Sequence, residues 1–300
     1  MVADTLMEKS LAKGTRKQYN SALERCQSFL HEYIGVNEAL PISQQHLHLY
    51  IAYMHSNNYK HATILTHISA LSHHHKIRNL PDPTSLYATA KMMTGVKNSQ
   101  DNIPDQRRPI TRDILLGLIG AIKSCSIDNY QYRLYKSLYS LMYYACLRAS
   151  EVILTESQQH IIQISQVTFL NNSKSFNLKF HSYKHSGATD FTLQVTSTSL
   201  TDCPVANIIQ YLTVRGHQPG PLYHISGLPL TRHQFMTTLN QCLKYLRLPE
   251  WQFNTHSFRI GRTTDMAAAN IPHSTIKHIG RWKSNAFMKY VRPAVTTTVP

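Results

Sequence analysis

The chain of 300 residues is basic, with 31 lysines and arginines against 16 acidic residues and a net charge of +15. A positive field of this size attracts polyanions, of which nucleic acid is the commonest. No segment pairs a cationic face with the strong apolar face that membrane-surface binding needs. No apolar run approaches the ~20 residues of a membrane span, and the opening MVADTLMEKS lacks a signal-peptide apolar region. We therefore expect a soluble, intracellular protein that binds nucleic acid rather than a membrane.

Cysteine and histidine give no sign of a metal centre. The five cysteines are scattered and form no CxxC pair, which argues against a disulfide framework and against a thiolate zinc site. The histidines include no HExxH motif. His73, His74 and His75 form a run, which we interpret as a solvated helix end rather than as metal ligands. No bound metal is expected.

The first hundred residues show the spacing of short amphipathic helices. Thr15 and Gln18 form a T-x-x-Q capping box, which predicts the start of the first helix. Ser43 is predicted to cap a second helix, a third ends before the next pair of prolines, and a fourth covers about residues 84–96. Residues 1–100 are therefore predicted to form a small domain of four helices.

A change of pattern separates a second domain. Residues 101–109 belong to a polar, proline-containing stretch without periodicity, which predicts an interdomain linker. Beyond a helix capped by Thr111 and a second helix, the short runs IIQI, VTF, FNLKF and FTLQV predict a three-stranded antiparallel sheet. Pro204 suits the first turn of a helix, and the helical pattern then continues to the end. Residues 110–300 are therefore predicted to be mainly α-helical, with one small antiparallel β-sheet.

Three short motifs of the second domain contain residues that could bind or transform a phosphate. Arg148 and Glu151 are three residues apart at a predicted helix end, and His256 and Arg259 have the same spacing in HSFR. Lys184 lies in HSYKHSG, between the second and third predicted strands. Taken singly, each motif is ordinarily a surface salt bridge, a solvated helix face or a soluble turn.

The stretch GRWKSNAFMKY, which ends at Tyr290, is the fourth motif. Ser284 is predicted to cap a short helix there, and Thr255 is predicted to cap the helix that carries HSFR. The residues predicted to form the apolar, docking face of the short helix are Phe287, Met288 and Val291. Tyr290 is either a core aromatic residue or a nucleophile.

The order of these motifs resembles the catalytic domain of the tyrosine site-specific recombinases. The stretch KGTRKQYNSAL is similar to the start of that family's core-binding domain, and THSFRIGRTTDMAAANIPHSTIKHIGRWKSNAFMKYVR is similar to its C-terminal half. The GRW…Y ending looks most like the recombinases of eukaryotic mobile elements, the Crypton and DIRS-like group. Most bacterial members have histidine where Trp282 stands, and here Trp282 and Tyr290 are eight residues apart, one fewer than is common in bacteria.

The resemblance implies a role for each motif residue. Tyr290 attacks the scissile phosphate and becomes joined to the 3′ phosphate, leaving a 5′ hydroxyl. Arg148 and Arg259 hold the two non-bridging oxygens. Lys184 donates a proton to the leaving 5′ oxygen.

The resemblance implies supporting roles in this chemistry for three further residues. His256 takes the tyrosine proton or hydrogen-bonds the phosphate, and Trp282 offers its indole N–H to the phosphate and packs against the helix of the nucleophile. Glu151 braces the Arg148 region. Two always-charged, planar guanidiniums suit the negative oxygens of a phosphorane, so no metal is expected. A covalent phosphotyrosine conserves the bond energy, so no ATP or other cofactor is expected.

The implied partner is double-stranded DNA, bound by a homotetramer on two synapsed sites. The candidates for phosphate contacts are Lys13, Arg16, Lys17, Lys60, Lys91, Lys97, Lys283, Lys289 and Arg292. Three other readings stay open: a catalytically silent DNA-binding protein derived from a mobile element, a topoisomerase of type IB, and a hairpin-forming resolvase. A eukaryotic source would imply the nucleus.

Overall fold

In the computed structural model the chain divides into two compact units, Met1–Pro104 and Asp105–Pro300. The structure describes residues 6–7, 10–101, 105–126, 128–154, 161–170, 173–181 and 190–293. The division falls within the segment interpreted as a linker, and residues 105–109 belong to the second unit. Within the described ranges, no helix is both long and apolar enough to span a membrane.

The first unit is helical in its described part. Its helices are α1 (Lys13–Ile34), α2 (Gln44–Ser56), α3 (His61–Ile77) and α4 (Tyr87–Asn98), with a 3₁₀ turn at Pro83–Ser85. They bury one apolar face each because side chains three and four residues apart share a side of a helix. The side chains completely removed from solvent in this core include Cys26, Leu47, Ile51, Ile64 and Leu71.

Local capping in the first unit matches the prediction at one position only. The Ser43 hydroxyl accepts a hydrogen bond from the backbone N–H of His46 at 3.1 Å, as predicted. The predicted Thr15 cap is wrong, because the N-cap position of α1 is Ala12, three residues earlier, and no side chain caps the helix.

The histidine run is not a solvated helix end, so that interpretation is wrong. His74 and His75 are both buried. Nε2 of His75 accepts from the backbone N–H of Ile42 at 3.0 Å, and its Nδ1 donates to the carbonyl of Leu71 at 2.7 Å. The ring therefore satisfies backbone groups on two segments. Among the described residues, no cluster of three or more histidine, cysteine or acidic side chains could hold a metal ion.

The second unit is mostly helical around a small sheet. Its helices are α5 (Arg112–Cys125), α6 (Asn129–Tyr144), α7 (Ala149–Val152), α8 (Pro204–Arg215), α9 (Arg232–Tyr245), α10 (Ser257–Ala268) and α11 (His273–Gly280). Short 3₁₀ segments lie at Ile164–Gln166, Glu250–Gln252 and Asn285–Tyr290, the last of which we name the Tyr290 turn. Pro204 occupies the first turn of α8, as predicted. Thr111 precedes α5, but its side chain makes no capping hydrogen bond.

The predicted antiparallel sheet is confirmed. Strands β1 (Val167–Leu170), β2 (Ser175–Phe180) and β3 (Phe191–Thr196) pair in the order β1-β2-β3, with Phe176 opposite both Phe169 and Val195. A two-stranded hairpin, β4 (His224–Ile225) and β5 (Leu228–Pro229), lies further along the chain. The IIQI run is not part of the three-stranded sheet, since Gln163 makes only an isolated bridge with Pro221.

The N-terminal segment of the second unit lies directly on α10. Ile110 donates its backbone N–H to the carbonyl of Ser257 at 2.9 Å, and Arg108 donates to the carbonyl of Gln252 at 2.8 Å. Gly261 permits this approach, because a Cβ there would lie 1.7 Å from the carbonyl oxygen of Ile110. Residues 105–110 are thereby held beside the helix that carries the HSFR motif.

Candidate active site

Glu151 lies at the centre of a buried group of charges. Arg148 immediately precedes α7, and the Glu151 carboxylate accepts from the Arg148 backbone N–H at 2.7 Å and from its guanidinium at 3.2 Å. Nη2 of Arg281 donates to the same carboxylate at 2.8 Å. Burial raises the pKa of Glu151, but the guanidiniums of Arg281 and Arg148 outweigh it and hold the pKa below its ordinary value. Glu151 is therefore ionised and anchors two arginines.

Arg281 is a structural residue that the sequence analysis did not single out. Its side chain is completely buried, its backbone is left-handed (φ 56°), and its guanidinium lies 4.1 Å from the ring centre of Phe180. It donates to the carbonyl of Ala145 at 3.1 Å as well as to Glu151. Arg281 therefore joins the end of α11 to the α6–α7 turn and to β2. Its place inside the GRW motif was visible in the sequence, but its partners were not.

Arg259 is buried in the same region, with only 1% of its surface exposed. Nη1 donates to the carbonyl of Cys146, and Nη2 donates to the carbonyl of Gly280 at 2.5 Å. Its Nε has no hydrogen-bond partner in the described part of the chain. Burial and then the charge of Arg148 lower the pKa of Arg259 to about 10, so the guanidinium stays charged at neutral pH. Two donors are fixed by backbone carbonyls, and a third is left unsatisfied.

Two aromatic rings lie close to the Arg259 guanidinium. Its Cζ is 4.0 Å from the ring centre of Trp282 and 5.6 Å from that of Tyr290, and the two ring centres are 5.4 Å apart. Gly280 makes the position of the indole possible, because a Cβ there would lie 1.6 Å from Cζ3 of Trp282. The glycine of the GRW motif is therefore required by the tryptophan two residues later.

The Tyr290 turn confirms part of the prediction for this segment and corrects another part. The Ser284 hydroxyl accepts from the backbone N–H of Ala286 at 3.3 Å, so the predicted cap is confirmed. Phe287 is 1% exposed, but Met288 is 56% exposed and does not dock, contrary to the prediction. Val291 packs against the same cluster as Phe287, as predicted. With three residues per turn, adjacent side chains point about 120° apart, so Met288 faces away from that cluster.

His256 occupies the N-cap position of α10, so the predicted cap at Thr255 is wrong. The imidazole is half-buried and lies among several arginines. Burial first, followed by the charges of Arg107 and Arg259, lowers its pKa from the ordinary value of 6.5. A neutral imidazole at neutral pH is able to accept a proton or a hydrogen bond.

Arg107 and Asp105 are further charged residues of this region that the sequence analysis placed in the linker. Arg107 binds the Asp105 carboxylate through Nε and Nη2, both at 2.8 Å. Nη2 of Arg292 contacts the same carboxylate at 2.5 Å. The hydrogen bonds from Arg107 lower the pKa of Asp105 to about 2, so the carboxylate is ionised.

The remaining predicted site residues are Lys184 and the candidates for DNA contact. Lys184 lies outside the described residues. The candidates for DNA contact that are exposed are Lys13, Lys17, Lys60, Lys91, Lys97, Lys283 and Lys289. Arg16 and Arg292 are half-buried, and Arg292 is bonded to Asp105 and to the carbonyl of Lys289.

The fold that holds this site is that of the tyrosine recombinases, mostly helical with a small antiparallel sheet and an N-terminal helical domain, as the sequence predicted. Residues 3–77 match the family model of the phage integrase N-terminal SAM-like domain. No curated protein matches the chain at a significant level.

Several solved structures share this fold. XerH site-specific recombinase, bound to a palindromic difH substrate in a post-cleavage complex, is 15% identical with a TM-score of 0.67, covering 92% of this chain and 75% of that one. The Tn1549 transposon integrase in complex with transposon right-end DNA is 15% identical with a TM-score of 0.61, covering 94% and 89%. A lambda integrase dimer bound to a COC′ core site is 12% identical with a TM-score of 0.62, covering 96% and 74%.

Proposed function

We propose that the protein is a site-specific DNA recombinase or integrase that cleaves and rejoins DNA through a covalent 3′-phosphotyrosine at Tyr290. The observation that carries the proposal is the grouping of a buried, charged guanidinium, an indole and a phenol, with the Arg259 Cζ 4.0 Å from the Trp282 ring centre and 5.6 Å from that of Tyr290. The DNA complexes of XerH, Tn1549 integrase and lambda integrase support DNA as the substrate.

The reaction is a transesterification in which the number of phosphodiester bonds is kept. The Tyr290 oxygen forms a bond to phosphorus while the bond from phosphorus to the 5′ oxygen breaks. The phenolic proton passes to neutral His256, and Lys184 protonates the 5′ oxygen. Because the phosphotyrosine retains the bond energy, rejoining needs no ATP, and because arginines neutralise the developing charge, no metal is needed.

Arg148 and Arg259 take the two non-bridging oxygens in this proposal. The Glu151 carboxylate and the backbone carbonyls of Cys146 and Gly280 already orient the two guanidiniums, so little reorganisation is needed when charge develops. Only 1% of the Arg259 surface is exposed, and the ring centres of Trp282 and Tyr290 lie 4.0 and 5.6 Å from its Cζ, so the proposal requires side chains around Arg259 to move before a phosphate reaches it. Trp282 then donates its indole N–H to the phosphate.

The biological setting belongs to the same proposal. We take the active form to be a homotetramer on two synapsed sites, without a small-molecule cofactor. The GRW…Y ending favours a mobile-element recombinase of the Crypton and DIRS-like group, which would act in the nucleus of a eukaryotic host.

The test is covalent trapping on nicked suicide duplexes that carry candidate element ends, with EDTA present and ATP absent. The intact protein should give a protein–DNA band that resists denaturation. Tyr290→Phe should abolish the band and leave non-covalent DNA binding nearly unchanged, because it removes only the phenolic oxygen. Tyr245→Phe, at an exposed tyrosine of α9, is the matched control and should behave like the original protein.

Other outcomes would favour other readings. A band that survives Tyr290→Phe would contradict the assignment of the nucleophile. DNA binding without any band would favour a catalytically silent DNA-binding protein. Relaxation of supercoils without site preference would favour a topoisomerase of type IB, and hairpin products would favour a resolvase, although the bond chemistry would be the same.

A further inference from the structure

An acidic residue stands beside the proposed phosphate pocket, where it would repel DNA. Asp105 is 37% exposed at its side chain, and it accepts three hydrogen bonds from Arg107, one from the backbone N–H and two from the guanidinium, and a fourth from the guanidinium of Arg292. An isolated surface ion pair contributes little to stability. A carboxylate bound by one guanidinium in bidentate geometry and by a second guanidinium is a stronger and more directional arrangement. We name Asp105, Arg107 and Arg292 the Asp105 clasp.

The Asp105 clasp is connected to Tyr290 through the chain that follows the tyrosine. Arg292 donates its backbone N–H to the Thr264 hydroxyl at 3.1 Å, and that hydroxyl donates to the Tyr290 carbonyl at 3.3 Å. Nε of Arg292 also reaches the carbonyl of Arg107 at 3.4 Å. The backbone on both sides of Val291 is therefore fixed to α10 by Thr264, and the Arg292 side chain is bonded to Asp105 and to the carbonyl of Arg107.

The other end of the clasp is equally fixed. Arg108 donates its backbone N–H to the carbonyl of Gln252 in the 3₁₀ segment that precedes α10, and Ile110 donates to the carbonyl of Ser257, the first residue of α10. Asp105 therefore ties the segment that carries Tyr290 to a part of the unit that is itself held on α10. Such a tie limits where the phenol can lie relative to Arg259 and His256.

We propose that Asp105 is a positioning residue for Tyr290, acting through its hydrogen bonds to Arg107 and Arg292. This proposal rests on the proposed function, because positioning matters only if Tyr290 reacts. The proposal predicts different effects of an Asp105 substitution on DNA binding and on DNA cleavage. Removing the acid should leave DNA binding equal or tighter, since a negative charge near the phosphates is lost, whereas cleavage should slow because the phenol is less well placed.

The test compares Asp105→Asn with Asp105→Glu and with Asp113→Asn, an exposed acid in the first turn of α5 that changes the net charge equally. Single-turnover formation of the covalent complex is measured at saturating protein, and the dissociation constant for DNA is measured separately. Asp105→Asn should slow covalent attachment by about ten-fold or more, Asp105→Glu should recover part of the rate, and Asp113→Asn should match the original protein. A normal rate in Asp105→Asn, or an equal loss in Asp113→Asn, would overturn the proposal.

A second measurement does not depend on catalysis. Hydrogen–deuterium exchange of the free protein reports on the amides of residues 286–292, including the Arg292 N–H that Thr264 accepts. These amides should exchange faster in Asp105→Asn than in Asp113→Asn, and unchanged exchange would overturn the positioning role. If the original protein forms no covalent complex, the proposed function fails, while this exchange comparison still decides whether Asp105 fixes the Tyr290 segment.

Discussion

Glu151 keeps its charge in surroundings that would not stabilise a carboxylate alone. Burial favours its neutral form, yet Arg281 and Arg148 hold its pKa below the ordinary value. Replacing a whole buried ion pair by apolar residues is often neutral, whereas removing one partner leaves an uncompensated charge. The side chain of Arg281 is completely buried, so the loss of the Glu151 charge would leave the Arg281 guanidinium as a buried charge without its carboxylate partner.

Glu151→Gln should therefore destabilise the second unit by ~3–5 kcal/mol. Both tryptophans of the chain, Trp251 and Trp282, lie in that unit, so urea unfolding followed by tryptophan fluorescence reports on it selectively. The free energy of unfolding should fall for Glu151→Gln and stay within about 0.5 kcal/mol for the exposed acid in Asp113→Asn. Equal urea midpoints for Glu151→Gln and the original protein would show that the buried ion pair contributes little.

The sequence motifs predicted which residues belong to the candidate site, but they did not predict which side chains pair with each other. Tyr290 and Arg259 belong to motifs and were predicted as site residues, and the structure brings their side chains together. Arg281 pairs with Glu151 across 130 positions of sequence, and Asp105 pairs with Arg292 across 187. No local pattern encodes such pairings, because they arise only when distant segments pack.

The elements that carry the site depend on helix type as well as on helix position. In the Tyr290 turn, the three-residue period directs Phe287 and Tyr290 to one side and leaves Met288 exposed. Phe287 packs near Trp282, with ring centres 6.0 Å apart, and near His273, with ring centres 5.0 Å apart. Phe287 is therefore the apolar anchor of the segment that carries the tyrosine.

Phe287→Ala should release this anchor, at a local cost of about 3–5 kcal/mol for a buried phenylalanine. Covalent attachment to suicide duplexes should fall at least about ten-fold because the phenol loses its fixed position, while non-covalent DNA binding persists. Met288→Ala is the matched control, since this neighbour is exposed and should change neither quantity. Equal attachment by the two variants would mean that Phe287 does not hold the Tyr290 turn in place.

Helix and strand periodicity predicted the main elements, including the antiparallel sheet of β1, β2 and β3, but cap residues were less informative. Ser43 and Ser284 do cap, whereas Thr15 and Thr255 do not. Threonine suits many positions outside a cap, so its presence near a helix start does not locate that start. The 3₁₀ form of the Tyr290 turn was also not predictable, since contacts with other parts of the unit, such as the Thr264 hydrogen bonds, follow from the fold.

On the scale of the whole molecule, charge is unevenly distributed along the chain. Residues 1–108 contain 12 basic and 8 acidic residues, for a net charge of +4, and residues 109–300 contain 19 and 8, for a net charge of +11. Phosphate contacts by lysine and arginine release counterions from DNA, so affinity falls steeply with salt. The larger positive charge of residues 109–300 indicates that much of the salt dependence of DNA binding arises from this region.

The salt dependence of DNA binding therefore tests whether the basic surface contacts the phosphate backbone. With about six to ten phosphate contacts, the association constant should fall by about 10³–10⁵ between about 50 and 200 mM salt. Lys283→Gln and Lys289→Gln, which neutralise exposed lysines of the GRW…Y segment, should each reduce the slope of log K against log salt by about 1. Lys123→Gln, at an exposed lysine in the last turn of α5, is the control and should leave the slope unchanged. Equal slopes for all these proteins would mean that neither Lys283 nor Lys289 contacts the DNA backbone, because a lysine that touches no phosphate releases no counterion.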